Sequence, residues 1–146
     1  GAMNSFILDE RLQRDTLPVA ESALSLLRLF NDARYFWLVL IPKIPGAVEW
    51  FDLIPSHQQQ LHAEAMACGK VLGTQSEITK VNLGALGNVV RQLHVHLVAR
   101  SEKDPAWPGP VWGHSPAIAL SEQQFTERVD ILQKSSLSTL FTFNSN

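Results

Sequence analysis

Near the middle of the chain, two histidines and a glutamine occupy every second position: Gln92, His94 and His96. Apolar residues separate them, and this alternation predicts an extended strand with the three polar side chains on one face. A neutral imidazole is a good nucleophile for phosphorus and leaves readily, so such a row can divide one difficult displacement into two easier ones. A half-solvated strand whose polar face carries histidine by chance is the alternative, because the short pattern alone is weak support for a site.

The loop before this row contains several small residues, including Gly84 and Gly87. Glycines let the backbone approach a ligand closely, and Asn88 together with the backbone amides around Gly87 can stabilise an anion. A plain turn between adjacent strands would use the same residues. The loop sequence therefore leaves a phosphate site and a simple connection equally open.

Hydrophobic spacing predicts the strands that must position these groups. One strand is predicted over residues 24–30 and another over 35–41, joined as an antiparallel hairpin through the turn-forming pair Asn31-Asp32. A further alternating stretch at 77–83 predicts the strand that leads into the loop with Gly84 and Gly87, which we call the glycine loop.

Two helices are also predicted. The first covers residues 56–73, with Ser56 and Gln59 as a capping box and with Cys68 on a buried apolar stripe. The second covers 121–134 and begins with the same capping pattern. Because the stripe of the first helix is apolar, it must pack on the sheet.

Two segments in the C-terminal part of the chain need a different explanation. Residues 104–114 contain three prolines, two glycines and two tryptophans, which cannot form a regular element. The tryptophans either plug the end of the core or wall a binding site. The apolar tail at 137–143 should pack back onto the domain or meet another subunit.

Length and composition indicate one globular domain, expected over residues 3–146, with Gly1-Ala2 as a tag remnant. The net charge of -2 offers no basic excess for a nucleic-acid polymer or an anionic membrane. The single cysteine cannot form an intramolecular disulfide, and the longest apolar run is too short to span a bilayer, so we expect a cytoplasmic protein.

Metal binding by His94 and His96 would need further histidine or carboxylate ligands. The sequence offers none at a persuasive local spacing. We therefore expect neither a metal nor another cofactor.

The segment Gln92-Leu93-His94-Val95-His96-Leu97-Val98-Ala99-Arg100 resembles the signature of the histidine-triad family of nucleotide hydrolases and transferases. That signature is three histidines at alternate positions followed by two apolar residues, and Gln92 replaces the first histidine. The resemblance spans most of residues 24–113, and Trp37 occupies a position where the family can have a histidine. Residues 104–113 further resemble a bacterial branch of the family. The implied fold is α+β, an antiparallel sheet of about five strands with two main helices.

The resemblance implies a role for each site residue. His94 takes the position of the nucleophile, and His96 can donate a proton or hydrogen bond to the leaving group. Gln92 can donate a hydrogen bond to a phosphate oxygen but cannot titrate. Asn31 is expected to contact the ribose or phosphate, beside a phosphate site formed by Gly87 and Asn88. The second ring nitrogen of the nucleophile should donate to an acceptor such as a backbone carbonyl, which fixes its tautomer.

The expected function is a nucleotide hydrolase that acts at the α-phosphorus of a nucleoside phosphoramidate or dinucleoside polyphosphate through a nucleotidyl-histidine intermediate. The expected partners are a small-molecule nucleotide and a second copy in a symmetric homodimer. A nucleotide-binding or regulatory module that has lost turnover is the alternative, because Gln92 and Val89 depart from the family pattern.

Overall fold

The computed structural model describes residues 5–145, so the tag remnant expected at residues 1–2 lies outside the described range. Its strands are β1 Thr16–Glu21, β2 Ser25–Phe30, β3 Trp37–Pro42, β4 Lys80–Gly84, β5 Val95–Arg100 and β6 Thr142–Phe143. Its α-helices are α1 Glu10–Asp15, α2 Pro55–Gly73 and α3 Glu122–Gln133.

The strands form one sheet in the order β4-β5-β3-β2-β1-β6, with every neighbouring pair antiparallel. The α+β class, the antiparallel sheet, the β2–β3 hairpin and the two main helices are confirmed. The sheet has six strands where about five were expected. The apolar tail returns to it as β6 and pairs with the end of β1. The tail therefore packs back onto its own domain, as one of its two predicted alternatives required.

Helices α2 and α3 cover one face of the sheet. The predicted stripe of α2 is buried there, and Cys68 within it is fully buried, which raises the pKa of its thiol. Alternate side chains of β3 and β5 pack against that stripe, because alternate residues of a strand point to the same face. The residues between them point to the opposite face, which carries both histidines.

The opposite face has its own apolar cluster, built on Trp37, Val39 and Ile41 of β3. Leu12 of α1 is buried in this cluster, and Phe6, Leu8 and Trp112 are among the partly buried side chains packed against it. The N-terminal segment (residues 5–12) and the tryptophan loop (residues 104–114) thus lie on the histidine side of the sheet, whereas α2 and α3 lie on the other side.

Strand β1 was not predicted, and its sequence shows why. Pro18 lies within it, and proline cannot donate to a sheet ladder. The β1–β2 register shifts between Pro18 and Ala20, and β6 pairs only with Ala20 and Glu21. The proline is tolerated because it falls at this irregularity and beyond the reach of the β6 partner.

Several predicted boundaries differ from the observed ones, and two of the differences have a local cause. Strand β4 begins at Lys80 because Glu77 adopts a left-handed φ of 67°, which belongs to a turn. Helix α2 begins at Pro55, since a proline at the first helical position is preset for the helix and lacks an N–H that would have no partner; Ser56 therefore does not cap it. The capping box of α3, Ser121 with Gln124, is confirmed.

Candidate active site

The two histidines lie together at the start of β5. His96 pairs with Val39 of β3, and His94 immediately precedes the strand, which begins at Val95. The predicted strand was therefore too long at its N-terminal end: Leu93 donates its N–H to the loop carbonyl of Ala47 instead of to a neighbouring strand. The ring centroids of His94 and His96 are 4.9 Å apart, and both side chains are buried.

The tautomer of His94 follows from its partner. Its Nδ1 lies 2.7 Å from the backbone oxygen of Gln92, and because a carbonyl oxygen only accepts, Nδ1 must carry the proton. The lone pair is then on Nε2. Burial lowers the pKa of His94 by more than the carbonyl bond raises it, so the ring favours the neutral form. An imidazole nucleophile requires this arrangement, with the proton held on the nitrogen that does not attack.

His96 has the opposite tautomer. The indole Nε1–H of Trp37 donates to its Nδ1 at 2.9 Å, and because an indole only donates, the proton of His96 is on Nε2. Burial, reinforced by neighbouring His94, lowers the pKa of His96 to about 3. His96 is therefore a neutral hydrogen-bond donor at neutral pH. The sequence singled out Trp37 as a family position but did not predict this bond.

Aromatic rings enclose the His96 side of the site. Phe30 stacks on Trp37 with centroids 4.0 Å apart, and Trp112 lies edge-on to His96 at 5.6 Å. A cavity of about 220 Å³ opens between Phe30, Trp112 and the Asp32–Arg34 ion pair. The ring of Trp112 also packs on Gly84 of β4. Of the two alternatives for the tryptophans, Trp112 takes the role of a wall.

A buried ion pair holds the tryptophan loop in place. Arg100, 1% exposed, donates from Nε to Asp104 at 2.7 Å and from Nη1 to Asn82 at 2.7 Å. Its guanidinium also donates to the carbonyl of Gly109 and faces the ring of Trp107 at 5.6 Å. Trp107 thus belongs to the anchor of the loop, and Trp112 belongs to the site.

The glycine loop lies beside His94. Gly87 adopts a left-handed φ of 64° and lines a small recess with Gln92 and His94, while Asn88 is exposed. Within residues 5–145, none of the backbone N–H groups of residues 85–92 donates to a protein acceptor. These amides are therefore open to an external acceptor such as a phosphate oxygen or water.

Asn31 is not brought to the histidines. Its Oδ1 accepts from the N–H of Leu120, and its side chain lines a separate cavity of about 490 Å³ between β1, α3 and the chain's tail. Its neighbour Asp32 lines the His96 cavity instead. Asn31 and Asp32 are neighbours in this turn, and their side chains reach opposite sides of the sheet.

The amide of Gln92 is already engaged by main-chain groups of the N-terminal segment. Its Oε1 accepts from the N–H of Asp9 at 2.9 Å, and its Nε2 donates to the carbonyl of Ile7 at 2.9 Å. The side chain of Gln92 therefore binds the N-terminal segment, although the residue is close to His94 in the chain.

The described residues 5–145 contain no group of three or more histidine, cysteine or acidic side chains placed to hold a metal ion. In the same part of the chain, no helix is both long and apolar enough to cross a membrane.

Comparison with known proteins places this geometry in a family. The model of the HIT domain matches residues 11–103. Similar solved structures include a histidine triad protein of Sinorhizobium meliloti 1021, which is 42% identical with a TM-score of 0.87 over 92% of this chain and 99% of that one. A histidine triad protein of Marinobacter aquaeolei VT8 is 39% identical, with a TM-score of 0.86 over 89% and 95% of the two chains. No curated protein matches significantly.

The chain belongs to the histidine-triad (HIT) family, as its central motif indicated. Membership in this family implies a nucleotide-binding hydrolase or transferase. A third structure, a histidine triad protein of Bradyrhizobium japonicum, agrees at 37% identity and a TM-score of 0.87, covering 90% of this chain and 98% of that one.

Proposed function

We propose that the protein hydrolyses a nucleoside phosphoramidate or dinucleoside polyphosphate at its α-phosphorus, with His94 as the nucleophile. The observation that carries the proposal is the opposite tautomers of the two buried imidazoles. His94 has its lone pair on Nε2, because Nδ1 donates to the carbonyl of Gln92, and His96 has its proton on Nε2, because Nδ1 accepts from Trp37. The pair thus combines an acceptor that can attack with a donor that can assist.

The proposed reaction has two displacements. His94 Nε2 forms a bond to the α-phosphorus, the bond from phosphorus to the leaving nitrogen or oxygen breaks, and the leaving group takes the electron pair and, where it is an amine, a proton from solvent. The carbonyl of Gln92 accepts from Nδ1–H and so stabilises the positive charge on the ring. Water then attacks the phosphorus, the bond from Nε2 to phosphorus breaks, and the nucleoside monophosphate leaves; the water gives up one proton to solvent, and His94 is neutral again.

His96 assists as a hydrogen-bond donor in this scheme. Its low pKa means that the ring is not an imidazolium at neutral pH, so it contributes an oriented N–H rather than a full charge. We propose that the open amides of residues 85–92, with Gly87 and Asn88 among them, supply the remaining donors to the phosphate oxygens.

Mass spectrometry after an alkaline quench tests the intermediate directly, because the phosphorus–nitrogen bond of a nucleotidyl-histidine survives base but is cleaved by acid. The protein is mixed briefly with each member of a panel of nucleoside phosphoramidates and dinucleoside polyphosphates, and peptides are searched for one added nucleoside monophosphate. The adduct is expected on His94. Turnover with the adduct on another residue contradicts the assignment of the nucleophile. Calorimetric binding of nucleotides without hydrolysis of any panel member favours the binding module, and failure to bind any nucleotide counts against both functions.

The pH dependence of kcat/KM is expected to show one acidic limb, due to His94. Protonation removes the lone pair of Nε2, so the rate falls as pH drops through the pKa of His94. Because burial lowers that pKa, the fall begins at a lower pH than for a free imidazole, whose pKa is about 6.5. His96, with a pKa near 3, contributes no limb close to neutrality. A limb centred above the ordinary imidazole value contradicts this assignment.

A further inference from the structure

The side chain of Gln92 joins two parts of the molecule that are far apart in sequence. Its carboxamide accepts from the N–H of Asp9 and donates to the carbonyl of Ile7, both at 2.9 Å. A carboxamide presents its acceptor and donor side by side, which matches a main-chain N–H and C=O two residues apart. An imidazole places its two nitrogens on different edges of the ring and cannot make this pair of bonds.

The N-terminal segment, which hydrogen-bonds to Gln92, lies along the histidine side of the sheet. Phe6 and Leu8 pack against the apolar cluster of that face, whereas Ile7 between them is 79% exposed. The alternation is that of an extended chain lying flat on a surface. Arg11 adds a second link, from its Nη1 to the carbonyl of Val89 in the glycine loop.

Residue 92 therefore acts on the site through both its main chain and its side chain. Its backbone carbonyl orients the ring of His94, and its side-chain amide binds the N-terminal segment beside the glycine loop. We propose that Gln92 is a positioning residue, a latch that holds residues 5–12 against the glycine loop beside His94. On this view the glutamine in place of the family's first histidine fixes this segment and the loop instead of contacting phosphate; the kinetic consequence rests on the proposed function.

Amide hydrogen exchange of the full chain tests the latch without reference to activity. In Gln92→Ala, exchange of the Asp9 N–H and of the neighbouring amides in residues 6–9 is expected to rise roughly tenfold, because one part-buried and one exposed hydrogen bond are lost. Gln92→Glu is nearly isosteric and keeps the acceptor for the Asp9 N–H but cannot donate to Ile7, so it should show a smaller rise. Arg91→Ala is the matched control, since Arg91 is an exposed neighbour, and its exchange should equal that of the wild type. Unchanged exchange in Gln92→Ala overturns the proposal.

Kinetics distinguish a latch from a phosphate ligand. With a nucleotide substrate, Gln92→Ala and Gln92→His are expected to raise KM roughly tenfold while kcat stays within about twofold and the pH profile is unchanged. Normal exchange combined with a large fall in kcat identifies Gln92 as a phosphate ligand and overturns the latch. An increase in kcat for Gln92→His with normal exchange also overturns it. If the wild type hydrolyses no nucleotide, the proposed function fails while the exchange result still decides the latch.

Discussion

The variant His94→Ala is expected to hydrolyse its nucleotide substrate on the order of 10⁴-fold more slowly than the wild type. Alanine removes the Nε2 lone pair, so the covalent route is closed and only direct attack by water remains. Single-turnover rates at saturating substrate measure the loss at the chemical step. Nucleotide binding should persist, because the loop amides and the aromatic walls of the cavity are retained.

The exposed His62 of α2 supplies the matched control for this experiment. It is on the helix that covers the opposite face of the sheet, so His62→Ala should keep the wild-type rate. Equal turnover by His94→Ala and the wild type would remove His94 as the nucleophile. A loss of comparable size in both variants would point to a general effect of histidine replacement on folding.

Asp104→Ala is expected to lower the free energy of unfolding by about 3–5 kcal/mol. The side chains of Arg100 and Asp104 are 2% and 6% exposed, so removal of the carboxylate leaves a guanidinium charge buried without a counterion. The same carboxylate accepts from the N–H groups of Ser101, Ala106 and Trp107, which fold the tryptophan loop. Denaturant unfolding followed by tryptophan fluorescence measures the change.

An exposed ion pair elsewhere in the chain provides a matched control for Asp104→Ala. Asp130 pairs with Lys134 at 3.0 Å with the same four-residue spacing, but both side chains are largely exposed. Asp130→Ala should therefore cost less than about 1 kcal/mol. If the two variants lose equal stability, burial of the Arg100–Asp104 pair is not what makes it important.

The effect of Asp104 has a defined direction with pH. Burial alone would raise the pKa of this carboxyl, but the hydrogen bonds from Arg100 and from backbone amides outweigh burial and hold the pKa below its ordinary value. A lowered folded-state pKa stabilises the fold above the unfolded-state pKa, and this stabilisation is lost as pH falls through the folded value. The stability difference between the wild type and Asp104→Ala should thus narrow in acid.

The parts of the site that sequence could predict depend on local rules. Alternation around His94 and His96 predicted which side chains share a face, because burial of one face of a strand imposes a two-residue period. The need for an acceptor at the ring nitrogen of His94 that does not attack followed from imidazole chemistry alone, and the carbonyl of Gln92, bonded to Nδ1, fulfils it. Helix α3 was predicted from its capping box, which is a local signal as well.

The parts that sequence could not predict depend on register and on distant contacts. The bond from Trp37 to His96 requires β3 and β5 to pair so that Val39 lies opposite His96, and neither strand's sequence fixes that register. The contact of Gln92 with Ile7 and Asp9 crosses more than eighty positions of the chain. No periodicity connects residues so far apart.

The packing of Trp112 on Gly84 links two positions on different elements. A Cβ added at residue 84 would lie 3.2 Å from Cη2 of Trp112, so the indole would have to shift by a few tenths of an ångström from its position beside His96. Glycine at 84 and tryptophan at 112 are thus coupled through the structure. The size of the residue at the end of the edge strand sets how closely the indole can approach the sheet, and with it the shape of the cavity beside His96.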